Sequence, residues 1–434
     1  MKSPGVVDSD DVSGRDTPKA LLQAGSQAMT YSIYMFSPRL RNMTIQGQGE
    51  KSRVLLLAPS DGLGGGVERY LANVEECLRN GGADVRRLNL LVGGASPGRQ
   101  ARARFTCRAI RHARYSGPFN VVLTGHPNLM PVAVAATTAA AAPRAPVIFH
   151  GTDIFRLPTT YRAVLARHPA LFPITVSTFS AGALAGVGAG QAPVLRPGLR
   201  TEWRTMLLTA AQQRCPASPP TLLSVFRLNY AGWEGKGLRE LLLALQAVRH
   251  RVGPVRLVIA GQGPVQDPIR RLVADQQGVE LRASPDDAAL AQLYAAADVF
   301  VLCTRTQPGR SGEGYGMVLT EAQLAGCAVV APVSGGSRDA YVDGVTGTSP
   351  RDESPEALAA VLTDLLSDPA RLAGMQQRAA EWARLVTRPE EHARAVLDQI
   401  LGTNPGNQYN SMARRPISQT EPAASPFVSA ESSV

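Results

Sequence analysis

Two carboxylates stand at fixed spacing around a glycine turn in Glu313-Gly-Tyr-Gly-Met-Val-Leu-Thr-Glu321, and the turn opens a helical pattern. Gly314 and Gly316 let backbone N–H groups approach a ligand closely, and the first turn of a helix offers N–H groups to an anion. Glu321 falls inside that helix, two turns beyond Glu313, where it can accept hydrogen bonds from neighbouring hydroxyls such as a ribose diol. Together these parts suit a sugar nucleotide, with Gly314, Tyr315, Gly316, Met317 and Val318 at its sugar and phosphate end. The competing account is a solvated loop glutamate ahead of an amphipathic helix.

A second cluster follows the strand pattern at 221–226: Arg227-Leu-Asn-Tyr-Ala-Gly-Trp-Glu-Gly-Lys236-Gly237. A strand end, a glycine-rich loop and a helix start bring two cations toward one crevice, where they would meet a diphosphate. Cations held at a leaving diphosphate stabilise the charge that develops as a glycosidic bond breaks. Arg227 alone would also fit a surface ion pair. Lys236 carries more weight, because the chain has only Lys2, Lys19, Lys51 and Lys236. Gly261-Gln-Gly263-Pro264 follows another strand pattern but lacks the third glycine of a dinucleotide fingerprint, which argues against nicotinamide or flavin. No Asp-x-Asp sits where a metal-bridged diphosphate would need it, since Asp8-Ser-Asp10 is in the leader. Metal-independent chemistry without a cofactor is therefore expected, Arg227 and Lys236 taking the place of the ion.

Stepping outward, short apolar runs alternate with helical patterns from residue 53 on: strands at 54–58, 85–91, 121–124, 147–149 and 174–177, with helices at 67–80, 99–116, 129–141 and from 180. A second alternating set runs through strands 221–226, 256–260, 279–282, 299–303 and 328–331, with helices at 238–252, 268–277, 286–297 and 319–326. Such alternation predicts an α/β fold of two Rossmann-like domains, each a parallel sheet wrapped by helices. Helices at 355–367, 369–385 and 390–401 close the pattern. The expected division is a disordered leader at 1–50, a domain at 51–214, a linker at 215–220, a domain at 221–386, a helix at 387–402 and a flexible tail at 403–434. Met29, Met35 and Met43 leave a downstream translation start open.

Composition narrows the function classes. The net charge of +10 is almost all arginine and, with the abundant alanine, fits the coding bias of a GC-rich genome. No aromatic platform accompanies it, so nucleic acid is not the expected partner. The five cysteines, Cys77, Cys107, Cys215, Cys303 and Cys327, form neither a framework nor a C-x-x-C pair, which suits a reducing cytoplasm. The alanine-rich run at 132–149 is cut by Pro143, Arg144 and Pro146, and the leader lacks signal-peptide organisation, so a soluble or peripheral protein is expected.

The Glu313/Glu321 pattern with its trailing run Ala328-Val-Val-Ala-Pro332 resembles the E-x7-E signature of the retaining GT-B glycosyltransferases of family 4, and the resemblance extends over about residues 52–402. It implies two domains facing across a cleft, donor mainly on the second and acceptor on the first, with the last helix crossing back. Arg and Lys occur in that family where Arg227 and Lys236 stand, here spaced wider by Asn229–Trp233. The resemblance places Gly261 and Gly263 near the diphosphate and the segment containing Ala283 and Ser284 at the base, held by backbone groups. Asp61-Gly-Leu-Gly-Gly65-Gly66-Val-Glu-Arg69 is similar to the glycine loop that lines the cleft, although any strand-to-helix turn looks alike. His150-Gly-Thr-Asp153 matches the family's His-Gly position, where the side chain would touch a sugar hydroxyl or orient the acceptor. His126, in Thr124-Gly-His126-Pro, is the alternative. Ser334-Gly-Gly-Ser-Arg-Asp339 matches its Gly-Gly element, or is simply a turn with a cap at Ser337. The loop at 303–310 resembles that of actinobacterial mannosyltransferase-like members using GDP-activated sugars.

The expected activity is transfer of a GDP- or UDP-linked sugar to a small-molecule or lipid acceptor with retention of configuration. The rivals are a sugar-nucleotide epimerase on the same fold and a noncatalytic basic nucleic-acid-binding protein. A phosphoinositide-type acceptor would require a basic amphipathic helix near the cleft. Arg99, Arg102, Arg104, Arg108, Arg111 and Arg114 mark the candidate, for which a solvated, arginine-biased face is the simpler account.

Overall fold

The computed structural model describes residues 51–91, 98–215, 218–228, 233–307 and 312–403. The leader at 1–50, the tail from 404, residues 216–217 of the linker, the widened spacing at 229–232 and the arginine-bearing loop at 308–311 lie outside the described residues.

Ten short runs and a two-residue pair make two parallel sheets. The first contains β1 (Arg53–Ala58), β2 (Asp84–Asn89), β3 (Val121–Thr124), β4 (Ala145–Phe149) and β5 (Leu171–Thr175), in the order β2-β1-β3-β4-β5. The second contains β6 (Thr221–Val225), β7 (Arg256–Gly261), β8 (Val279–Ala283), β9 (Val299–Val301), β10 (Ala328–Val330) and β11 (Gly347–Thr348), in the order β11-β10-β9-β6-β7-β8. Val54 through Ala58 and all of β3 are buried, as unbroken apolar runs require when helices cover both faces of a sheet. Strand order reverses between β1 and β3 and again between β6 and β9. Open α/β sheets bind ligands in the crevice at such reversals. The glycine loop, Arg227, Thr304 and both histidines all follow strands at or beside these two points.

Several boundaries shift for physical reasons. The strand expected at 174–177 is β5, three residues earlier, because Ser177 leaves the sheet to cap the helix Thr178–Gly186, its hydroxyl accepting the Ser180 N–H at 3.1 Å. Pro173 is tolerated there because β5 is an edge strand. The helix expected at 129–141 begins as a tight turn, Pro127–Leu129, before Met130–Ala140. The one expected at 268–277 ends at Val273. The helices Thr152–Phe155, Thr159–Arg167 and Thr201–Gln212 and the short β11 were not legible in the periodicity. Pro355–Ser367 and Pro369–Val386 start on proline behind Ser354 and Asp368 caps, a combination that marks helix starts reliably.

The last helix is Pro389–Val396, continued by a wide turn at Leu397–Leu401. It packs on the first helix, Gly66–Asn80, and places Val396 and Ile400 in one buried cluster with Leu71 and Val74. Arg144 donates to the carbonyls of Gln399 and Ile400 at 2.9 and 3.0 Å, tying this end of the chain to β4.

Candidate functional site

Lys236 owes its place to Gly237. This glycine has φ +69° and lies so close to the end of β9 that a Cβ would sit 2.1 Å from the Cys303 carbonyl oxygen. The turn Trp233–Lys236 is thereby pressed onto the strand end, and Lys236 Nζ comes within 3.4 Å of both Thr304 Oγ1 and Glu313 Oε2. Thr304 Oγ1 donates to the same carboxylate oxygen at 3.0 Å. Arg227 lies beneath the glycine loop of the opposite half, where a Cβ on Gly65 would be 3.5 Å from its guanidinium.

Gly316, at φ +82°, turns the chain into the helix Met317–Leu324, which has neither a side-chain cap nor an acidic residue in its first turn. Its positive end is thus presented without internal neutralisation. Glu321, only 3% exposed, accepts a 2.8 Å hydrogen bond from the hydroxyl of fully buried Tyr294. Burial and the neighbouring Glu321 hold the Tyr294 hydroxyl well above its ordinary pKa, so it stays a donor. Around them, Arg69 reaches from the first helix to Asp287 at 2.8 Å and lies over the Trp203 ring at 5.1 Å.

His150 is fixed at three points. Its backbone N–H donates to both Asp153 carboxylate oxygens, at 3.1 and 2.9 Å, and its Nε2 lies 2.8 Å from the Gly125 carbonyl. A carbonyl only accepts, so Nε2 carries the proton and Nδ1 is an acceptor. Desolvation lowers the His150 pKa, despite the opposing pull of Asp153. His126 stacks on it at 5.9 Å, and burial pushes its pKa down to about 4. Both imidazoles are therefore neutral at neutral pH.

These groups surround a cleft of about 380 Å³ between the two sheets. Arg227, Lys236, Glu313, Glu321, His150, Gly65, Gly66, Gly261, Gly314, Tyr315, Gly316, Met317 and Val318 all line it. Gly263 and Ser284 line an adjoining hollow of about 650 Å³ instead, which shares Glu321, Met317, Arg69 and Gln262 with the cleft. Ala283 is exposed at the end of β8 and lines neither, and His126 stands behind His150 rather than in the wall. Among the described residues no group of three or more His, Cys, Asp or Glu side chains is placed to hold a metal. The helix Arg99–Tyr115 exposes its arginines, packs on Met130–Ala140 and contributes nothing to the cleft. Sequence reasoning missed Tyr294, which lies in no motif, and gave no role to Arg69, Gln262 and Thr304, although each falls inside a segment it singled out for other residues. No described helix is long and apolar enough to cross a membrane.

Comparison with known proteins points the same way. Residues 209–382 match the family model described as glycosyl transferases group 1. The chain is 37% identical over 153 residues to the GDP-mannose-dependent alpha-(1-6)-phosphatidylinositol monomannoside mannosyltransferase of Mycolicibacterium smegmatis, covering 34% of this chain and 40% of that protein. It is 35% identical over 202 residues to a D-inositol 3-phosphate glycosyltransferase of Xylanimonas cellulosilytica, covering 44% of each. The matches thus span less than half the length of these relatives. Among solved structures, Anabaena Alr3699/HepE in complex with UDP and glucose superposes with a TM-score of 0.61 at 18% identity, over 81% of this chain and 100% of that one. Residues 209–382 are thus similar to the glycosyl transferases group 1 family, and the fold is of the GT-B class.

Proposed function

We propose that this protein is a retaining, metal-independent glycosyltransferase that moves a sugar from a GDP- or UDP-linked donor to a small-molecule or lipid acceptor. The observation that carries the reading is the convergence on one cleft of Arg227, the Lys236–Thr304–Glu313 cluster, the uncapped helix start at Gly316 and buried Glu321. Arg227, Lys236 and the helix start take the diphosphate, and Glu321 takes the ribose diol. Glu313 holds the sugar hydroxyls. The bonds from Lys236 and Thr304 both go to its Oε2 and orient the carboxylate for that role.

The acceptor oxygen bonds to the anomeric carbon on the face the diphosphate leaves, and the bond from that carbon to the phosphate oxygen breaks. The acceptor's proton passes to the departing phosphate, whose growing charge the two cations stabilise. His150, neutral with Nδ1 as acceptor, orients a sugar or acceptor hydroxyl. Closure of the cleft excludes water that would otherwise hydrolyse the donor. The two relatives named above act on a phosphatidylinositol mannoside and on an inositol phosphate, so an acceptor carrying a phosphorylated polyol is the first class to try.

Calorimetric titration with GDP, UDP, TDP and ADP, repeated on Glu321→Ala and Lys236→Ala, tests the donor site. One diphosphate should bind selectively, and both variants should weaken it. Failure of every diphosphate to bind would sink the reading. Product mass with the bound donor and candidate acceptors then separates transfer from epimerisation.

A further inference from the structure

The two halves of the cleft meet at a seam of backbone contacts beside Glu313 and His150. A Cβ on Gly314 would fall 1.7 Å from the His150 carbonyl oxygen, one on Gly151 2.7 Å from the Gly314 Cα, and one on Gly336 2.8 Å from Ser177 Oγ. Only glycine lets these chains touch. Next to the seam, Asp339 of the short turn Gly336–Asp339 reaches across to the first residue of the helix Thr178–Gly186. One carboxylate oxygen accepts the Thr178 backbone N–H at 2.8 Å and the other accepts the Thr178 hydroxyl at 2.6 Å. Arg196 approaches to 3.5 Å, and the Asp339 side chain is only 10% exposed.

Each end of this bridge is coupled to one of the two sugar-site candidates. On the Asp339 side, the Gly336 N–H donates to the Glu313 carbonyl at 2.8 Å. On the Thr178 side, two residues back, the Val176 N–H donates to the Phe149 carbonyl at 3.2 Å, immediately before His150. We infer that Asp339 is a positioning residue for sugar transfer: its bidentate bridge to Thr178 latches the closed cleft and sets His150 against Glu313. The inference rests on the glycosyltransferase reading for its catalytic consequence, but the latch itself is a property of the fold. The carboxylate at a helix start is favoured by the N–H groups there, so the latch is charge-assisted as well as geometric. The nucleoside diphosphate, held mainly by the second half, does not need it.

The test compares Asp339→Ala and Asp339→Asn with the full-length wild-type chain. Asp339→Ala should lower kcat about tenfold or more while leaving the Kd for the selected nucleoside diphosphate within about twofold, because misplacement of reacting groups acts on the chemical step. Asp339→Asn keeps an oxygen for the Thr178 N–H and should recover most of that loss. An Ala variant with wild-type kcat, an Asn variant as impaired as Ala, or diphosphate affinity falling in step with kcat would each overturn the proposal. Amide exchange at Thr178 supplies an arm independent of activity: it should quicken in Asp339→Ala, and unchanged exchange would overturn the latch. If wild type binds no nucleoside diphosphate, the glycosyltransferase reading fails, and the exchange result alone decides the latch.

Discussion

Tyr294→Phe removes one oxygen from a fully buried ring and leaves its shape unchanged. The lost bond is the 2.8 Å donation to Glu321 Oε2. Glu321 is 3% exposed, so water does not readily replace the donor. A hydrogen bond to a charged group contributes about 1.5–3 kcal/mol, and a buried acceptor left short of a partner sits toward the upper part of that range. Arg69 nearby offsets some of the loss, which points to a destabilisation of about 2 kcal/mol. The effect on the donor is separable from this. If the Tyr294 bond orients Glu321 toward the ribose diol, freeing the carboxylate should weaken nucleoside diphosphate binding by about 1 kcal/mol, or roughly fivefold.

The decisive assay is a cycle between the protein change and the ligand change. Calorimetry on wild type and Tyr294→Phe, each with the selected diphosphate and its 2′-deoxy analogue, gives four affinities. The deoxy analogue should bind wild type more weakly, and the difference should shrink in Tyr294→Phe, because the same carboxylate is involved in both losses. Urea unfolding of the two proteins supplies the stability change. A variant that loses stability while keeping the full discrimination between ribose and deoxyribose would refute the placing of Glu321 on the ribose.

Gly314→Ala puts a methyl group 1.7 Å from the His150 carbonyl oxygen, so the seam must part; activity should fall about 100-fold or more in turnover assays while diphosphate binding to the second half persists. Gly66→Ala is the contrasting case, since a Cβ there meets nothing within 4 Å and alanine favours the helix start; urea unfolding should show no loss of stability, whereas calorimetry should show weaker donor binding if phosphate oxygens approach that point. His392 packs on Gly198 and burial pushes its pKa down to about 4, whereas in the unfolded chain it titrates near ~6.5. Between these values the unfolded state binds a proton that the native state does not, so stability is lost as pH falls through that window; His392→Gln should make the decline in Tm between pH 6.5 and 4 shallower, and parallel curves would show that the group is not responsible.

What the sequence disclosed were clusters local along the chain. Glu313 and Glu321, Arg227 and Lys236, and the glycine runs lie within a few residues of one another, so their types and spacing can be read together. The partners that complete them cannot. Tyr294 is 27 residues from Glu321, Thr178 is 161 from Asp339, and Arg69 is 218 from Asp287. Tyr294 falls on the buried side of an alanine-rich helix pattern, where a tyrosine reads as core. Asp339 follows a Gly-Gly turn, where an acid reads as solvated. Tyr294 acquires meaning when its helix packs beside Met317–Leu324 in the same half, and Asp339 only when the carboxyl ends of the two sheets come face to face. The helices at 152–155 and 159–167 were lost for a different reason: each is too short to show a helical period, and packing rather than propensity holds it.

The glycines show where reading and physics part most clearly. Gly314 and Gly316 carried one explanation in sequence, close approach of backbone to ligand, and the family resemblance placed Gly261 near a diphosphate. At Gly261 the structure gives another, since a Cβ would lie 1.6 Å from the Phe226 carbonyl oxygen, within the same half. At Gly314 the obstacle is the His150 carbonyl of the opposite half. Gly316 and Gly237 have positive φ and would be strained as any other residue. Each of these is demanded by the protein before any ligand arrives. Gly66 alone in this set has ordinary helical geometry, open space at Cβ and a place on the cleft wall. Its lack of a side chain, like that of Gly65, whose Cβ would meet only ordinary contacts from 3.5 Å, is left unexplained by packing, and a bound diphosphate is what would explain it.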